Sequence, residues 1–315
     1  LVQSIDAYDN IDSDYDIQDS AGAILGETGT ILNEGVSDVF VENNLGNDDV
    51  NAQTGLELNV LEDQLQSLNG TGSDVIFDVE DSANAIATAL DGDSSRLDNA
   101  KDVDVSGGTV DVDDAAVIQS VNGYDDDGSD YNIQDSASVI LTATGVDTVV
   151  DSGVDTVFVT DNFVDANTGA QLNDLELALE NVGGTDIDFT VTDTAGAVAD
   201  ALSIQSYTYD ALDNFYSYGG SGDSLNEAND VNVIGGTIDV ADAALVQSID
   251  QYDAVNSDYD IQDSAGAILS DTGTILNQGV DDVFVDDIFA GDDVDAQTGL
   301  ELNVLEDQLQ SLNGT

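Results

Sequence analysis

Tyr15-Asp16-Ile17-Gln18-Asp19-Ser20-Ala21-Gly22-Ala23-Ile24-Leu25 returns as Tyr131-Asn132-Ile133-Gln134-Asp135-Ser136-Ala137-Ser138-Val139-Ile140-Leu141. It returns again as Tyr259-Asp260-Ile261-Gln262-Asp263-Ser264-Ala265-Gly266-Ala267-Ile268-Leu269. Looser forms are Phe77-Asp78-Val79-Glu80-Asp81-Ser82-Ala83 and Phe189-Thr190-Val191-Thr192-Asp193-Thr194-Ala195. Tyr15 and Ile17 alternate with Asp16 and Gln18, the period of a half-buried strand. Asp19 and Ser20 then offer side-chain oxygens to the free N–H groups of a helix start. Ala21, Ala23, Ile24 and Leu25 supply a small, apolar first turn. The stretch is a strand-to-helix corner, and its recurrence makes the chain a tandem array.

Working outward, each corner alternates with a second kind of strand: Val39-Phe40-Val41, Val103-Asp104-Val105, Val157-Phe158-Val159 and Val231-Asn232-Val233. The strongest helix pattern runs from Gly55 to Leu68, with Leu58, Leu61, Leu65 and Leu68 on one face. Thr54 reads as its cap, and Thr168 as the cap of the equivalent helix carrying Leu172, Leu175, Leu179 and Val182. Gly107-Gly108 and Gly235-Gly236 read as tight bends or bulges.

Strand–helix units recur at roughly 24 to 30 residues, within the period range of solenoid repeats. Residues 1–14 read as the end of a preceding repeat, 15–130 as a first four-unit cycle, 131–258 as a second and 259–315 as a partial third. The third cycle repeats the first at a constant offset of 244 residues (Tyr15/Tyr259, Val39/Val283, Thr54/Thr298). Both ends fall inside the pattern, so the expectation is a piece of a longer array. No unit can bury its apolar side alone, so the expected fold is α/β: tandem strand–helix repeats stacked as a right-handed solenoid with a parallel sheet. A string of compact α/β domains is the alternative.

Hydrophobic residues make up 41% of the 315, enough for a packed core. Against 67 acidic residues stand two basic ones, Arg96 and Lys101, for a formal net charge of −65. Ion pairs cannot offset that self-repulsion; screening salt or bound cations must. Nucleic acid and anionic membranes are excluded as partners by the same charge, and no apolar run is long enough to span a bilayer. Cysteine and histidine are absent, which removes disulfides and Cys/His metal sites. Carboxylate pairs are too many for any to stand out as catalytic, so no enzyme activity is expected.

The acidic loops carry the chemistry. Asp125-Asp126-Asp127-Gly128-Ser129-Asp130 places oxygens on alternate residues around a glycine, as in the first half of a calcium loop. The candidate ligands are Asp125, Asp127 and Asp130, with Asp9, Asp12 and Asp14, and Asp253 and Asp258, in the equivalent loops. Ca2+ is the expected ion; solvated acid on a protein living in high salt is the alternative. The insert 203–230 is aromatic (Tyr207, Tyr209, Phe215, Tyr216, Tyr218) and suits a glycan-stacking or lateral contact, or a small satellite core.

The alternation of Tyr/Phe-x-Ile/Val-x-Asp-Ser/Thr-Ala corners with Val-x-Val strands resembles the repeat arrays of very large acidic bacterial surface proteins: S-layer, adhesin-like and extracellular-fibre proteins exported by type I secretion. The Gly-Gly-x-Gly-x-Asp nonapeptide of calcium β-rolls is missing. The resemblance implies export, calcium-dependent folding outside the cell and a structural role, either as a self-assembling fibre or surface coat or as the spacer stalk of an adhesin. The expected partners are other copies of the chain, with extracellular glycan as the alternative.

Overall fold

The computed structural model describes residues 14–42, 49–69, 72–203, 225–286 and 294–313, with the backbone of 207–210 and 215–218. They fall into two compact units: residues up to 135 with 144–157 and 182–184, and residues 136–143 and 158–181 with those from 185 onward.

The first cycle opens with β1 (Tyr15–Asp19), α1 (Ala21–Gly26), α2 (Thr28–Ile31) and β2 (Val36–Val41). It continues through β3 (Asp49–Val50), α3 (Ala52–Asn69), β4 (Val75–Ile76), β5 (Asp78–Asp81) and α4 (Ala83–Leu90). A 3₁₀ turn at Ser94–Leu97 leads to β6 (Asp102–Val110) and α5 (Val112–Gln119). The second cycle has β7 (Asp130–Asp135), α6 (Ala137–Ile140), α7 (Ala143–Val149), β8 (Val154–Val159) and α8 (Ala166–Val182). Then come β9 (Asp186–Asp188), β10 (Thr190–Asp193), α9 (Ala195–Ser203), the strands β11 (Tyr207–Asp210) and β12 (Phe215–Tyr218), β13 (Asp230–Ile238) and α10 (Val240–Val246). The third has β14 (Asp258–Asp263), α11 (Ala265–Ser270), α12 (Thr272–Ile275), β15 (Val280–Val285) and α13 (Ala296–Asn313).

The class is α/β with parallel sheets. In the first unit the strand orders are β1-β2-β4 and β3-β5-β6-β7-β8; in the second, β10-β13-β14-β15. The registered pairs are parallel, as strands joined through crossover helices must be. The exception is the antiparallel hairpin β11–β12, which occupies the aromatic insert. The glycan or contact role read into that insert falls on side chains outside the described residues.

Strand alternation divides each sheet into an apolar and an acidic side. Val79, Val103, Val105 and Ile133 are buried with Leu58, Leu61, Leu65, Ile86, Leu90 and Ile118 of the helices. Ala83 and Ala115, both fully buried, let the helices lie close to the strands. Parallel sheets normally cover both faces with apolar side chains. Here Asp78, Glu80, Asp102 and Asp104 line the second side.

The repeated corner holds these layers in step. Ser20, Ser82 and Ser264 stand at the N-cap positions of their helices with extended backbones. The aspartate before each lies one residue outside the helix. Asp81 Oδ1 accepts from its neighbour Ser82 N at 2.8 Å, and its Oδ2 accepts from Ala52 N, the first residue of the preceding α3, at 3.1 Å. Asp193 does the same with Thr194 and Ala166, and Asp263 with Ser264 and Val240. Asp135 Oδ2 reaches Val112 N. The aspartate read as a cap stands just before its own helix's cap residue and caps instead the helix of the unit before it.

Two sequence readings are corrected. Thr54 and Thr168 are not caps: their own N–H groups donate to Asn51 Oδ1 (2.9 Å) and Asp165 Oδ1 (2.7 Å). Asn and Asp outrank Thr at that position, so each helix starts earlier. The double glycines are bulges, as expected: Gly107 and Gly108 have φ of 78° and 101°, and the β6–β7 register skips between Ser106 and Thr109. Where the chain bends, Ser129 Oγ accepts from Val105 N at 3.1 Å and donates to the Asp125 carbonyl at 2.6 Å.

Candidate functional site

A parallel bridge carries the chain after α5 back to β6: Val103 N donates to the Gly123 carbonyl, and Asp125 N to the Val103 carbonyl. Asp125 is thereby set beside Asp102 and Asp104, which share a face because they are two apart on one strand. Carboxylate oxygens of the three lie within 4.8 Å of one another. The cluster continues an acid ladder across the sheet, since Asp78 pairs with Asp102 and Glu80 with Asp104, and Asp49 with Asp78.

Asp104 Oδ1 is cut off from solvent and has no hydrogen-bond partner. A side chain at Gly128 would overlap that oxygen, so only glycine fits against it. Burial, then the charges of Asp102, Asp125, Asp49 and Glu80, push the Asp104 carboxyl up. Like charges at this separation repel by about 1–3 kcal/mol per pair between water-like and protein-like dielectric constants. Arg96 is no remedy: its ion pair, at 4.0 Å, is with exposed Asp91. Hard carboxylate oxygens suit calcium, which accepts irregular oxygen geometry. The orphaned oxygen and the three carboxylates within 4.8 Å of one another are the features on which such an ion would fit.

The second cycle carries the same positions with different chemistry. Asp230, Asn232 and Asp253 stand for Asp102, Asp104 and Asp125, and Thr190 and Thr192 pair with Asp230 and Asn232. Asn232 Nδ2 donates to Asp230 Oδ2 at 3.1 Å. Asp253 is held by Val255 N and by the Asn256 amide, bonds that keep its carboxyl below the ordinary range. The Asn232 amide donates to Asp230, while its own Oδ1 is buried without a partner, as Asp104 Oδ1 is.

A second acidic group, Asp260, Asp281 and Asp282, is more exposed. Asp260 Oδ1 already accepts from Asp282 N at 3.3 Å, and the neighbouring charge of Asp258 pushes Asp281 up.

Of the residues proposed from the sequence, Asp125 joins the cluster, but with two strand residues rather than with its own loop. Its Oδ1 accepts from Asp127 N at 3.1 Å, and Asp127 itself is exposed. Asp130 and Asp258 open β7 and β14, exposed at the strand ends. Asp14 is exposed ahead of β1, and Asp9 and Asp12 lie outside the described residues. The sequence reading missed Asp102 and Asp104. Their signal was present in Asp102-Val103-Asp104-Val105, where strict alternation sends both acids to one side.

Among the described residues no helix is long and apolar enough to cross a membrane. Comparison with protein-family models, with characterised proteins and with solved structures finds no match to this chain.

Proposed function

We propose that the chain is a stretch of an extracellular structural protein. Its strand–helix units stack as a right-handed solenoid, and calcium bound by Asp102, Asp104 and Asp125 offsets the charge of the acid ladder. The assembly partner is another copy of the same chain, in a fibre or surface coat.

One observation carries this reading: Asp104 Oδ1 is buried against Gly128 without a donor, in a residue whose carboxylate lies within 4.8 Å of two others. Two others support it. The corner aspartates tie each helix to the unit that follows, which suits a repeat stack. The charge of −65 with two cationic side chains leaves neutralisation to ions in solution.

Electron microscopy of the purified chain in millimolar calcium, in chelator and in sodium chloride of matched ionic strength tests it. Filaments or sheets that form in calcium and disperse in chelator are the expected result. Dispersed particles under every condition would remove the self-assembling role.

A further inference from the structure

Two of the long helices, α3 and α8, each pack a glycine against the extended strand that follows them. Under α3 that strand is Val75-x-Phe77-x-Val79, with all three side chains buried. A Cβ on Gly55 would meet Val79 Cγ2 at 2.8 Å and Phe77 Cε2 at 3.5 Å. Under α8 the strand is Ile187-x-Phe189-x-Val191, equally buried, and Gly169 faces Val191 and Phe189 in the same way. Main-chain ties hold the first strand. It runs parallel to β2, with Val39 opposite Val75 and Phe40 opposite Ile76. Val39 N donates to the Asp74 carbonyl at 2.9 Å, Asp74 N to Asp38 Oδ1 at 3.2 Å and Val75 N to Glu62 Oε2 at 3.1 Å.

The third cycle repeats this seat without its strand. Helix α13 has the sequence of α3, and β15 differs from β2 only in carrying Asp281 for Ser37. Asn313 Nδ2 donates to the Val280 carbonyl at 2.7 Å, as Asn69 Nδ2 does to that of Val36 at 2.8 Å, so helix and strand meet in the same register. Gln310 holds Glu306 as Gln66 holds Glu62. Among the described residues β15 pairs with β14 alone. Between β15 and α13 lies a groove of about 530 Å³, lined by Val283, Val285, Gly299, Leu302 and Leu309 with Asp282 and Glu306. Leu300 is 61% exposed where its counterpart Leu56 is 9% exposed. A Cβ on Gly299 would meet no strand; its nearest neighbour is Val294 at 3.8 Å.

We propose that this groove is a docking site for an extended polypeptide strand of the pattern Val/Ile-x-Phe-x-Val, lying parallel to β15 and supplied by another protein chain. The strand that fills the seat of the identical helix α3 identifies the chemistry of the occupant. The edge of β15 offers main-chain hydrogen bonds, and alternate side chains of the incoming strand enter the apolar space beside Gly299. Asp282 and Glu306 stand where Asp38 and Glu62 accept the strand N–H groups in the first cycle. Among the described residues both strands of this pattern, 75–79 and 187–191, are already seated under their own helices, so a second copy of the chain is not the occupant. No bound ion is needed, and the site stands apart from the calcium reading.

The probe is a fluorescein-labelled peptide of residues 72–81, Gly-Ser-Asp-Val-Ile-Phe-Asp-Val-Glu-Asp. Its fluorescence anisotropy is titrated with the full chain, in chelator and in about 1 M sodium chloride, which screens the two acidic partners to a Debye length of about 3 Å. Saturable binding of one peptide per chain is the expected result. Gly299→Phe, whose ring occupies the groove, should weaken it by about tenfold or more, and so should Phe77→Asp in the peptide. The peptide variant leaves the protein untouched and decides the matter even where Gly299→Phe does not fold. No saturation by about 0.5 mM chain would overturn the proposal, as would equal binding of the two peptides or undiminished binding to folded Gly299→Phe. Dimerisation of the chain that Gly299→Phe abolishes, without peptide binding, would also overturn it and assign the groove to a second copy.

Discussion

Ala52 N donates to Asp81 Oδ2 at 3.1 Å, joining the first turn of one helix to the strand end of the next unit. The same carboxylate takes Ser82 N on its other oxygen, so a single side chain fixes two helix starts. Asp81→Ala removes both acceptors. A cost of about 2–3 kcal/mol follows from two lost charge-assisted bonds. The urea midpoint should fall accordingly, and Asp81→Asn, which keeps one acceptor, should lie between. A midpoint equal to wild type for Asp81→Ala would mean that the clamp contributes nothing.

Helices α3 and α13 have identical sequences, Ala-Gln-Thr-Gly-Leu-Glu-Leu-Asn-Val-Leu-Glu-Asp-Gln-Leu-Gln-Ser-Leu-Asn, but different surroundings. A Cβ on Gly55 would meet Val79 Cγ2 at 2.8 Å and Leu97 Cδ2 at 3.1 Å, whereas on Gly299 its nearest neighbour is at 3.8 Å. Gly55→Ala should destabilise by about 1–3 kcal/mol through overpacking. Gly299→Ala should stabilise its helix by about 0.5–1 kcal/mol, because alanine loses less backbone freedom. Denaturant unfolding of the two variants should therefore move in opposite directions.

Burial of Glu62 raises its carboxyl to about 7 from 4.5, against the opposing Val75 N–H bond. The folded state holds the proton more tightly than the unfolded one. The contribution is full below the unfolded value and is lost as pH rises from about 4.5 to about 7. Glu62→Gln should flatten this part of the stability–pH curve, by about 1–3 kcal/mol between its ends. Urea midpoints at pH 5 and pH 8 (about the two ends of that window) measure it; an unchanged slope would assign the titration to other carboxyls.

The buried hydroxyl of Tyr131 accepts from Gln119 Nε2 at 2.8 Å, and the same amide donates to the Thr148 carbonyl at 2.9 Å. Tyr259 and Gln247 repeat the contact at 2.7 Å. Tyr131→Phe keeps the ring and removes one acceptor, for an expected loss of about 1 kcal/mol. Thermal melting reads it, and a gain in stability would contradict the role given to the hydroxyl.

The parts legible in the sequence are those set by neighbours along the chain. Tyr131, Ile133 and the Asp135-Ser136-Ala137 corner declare strand, turn and helix within seven residues. Gly107-Gly108 declared its bulge because only glycine sits easily at positive φ. The acid cluster was not legible in the same way. Asp125 meets Asp102 and Asp104 only because Tyr124 bridges to Val103 after a helix has intervened. The second role of Asp81 was hidden for the same reason: Ala52 lies 29 residues before it.

Thermal unfolding followed by circular dichroism, in calcium and in chelator at matched ionic strength, decides whether the acid ladder is an ion site. Saturating calcium should raise the wild-type melting temperature by about 5 °C or more. In Asp104→Asn, which places the residue of the second cycle in the first, that rise should shrink while the melting temperature in chelator increases. An equal rise in sodium or magnesium, or an undiminished calcium response in Asp104→Asn, would contradict a calcium site at Asp102, Asp104 and Asp125.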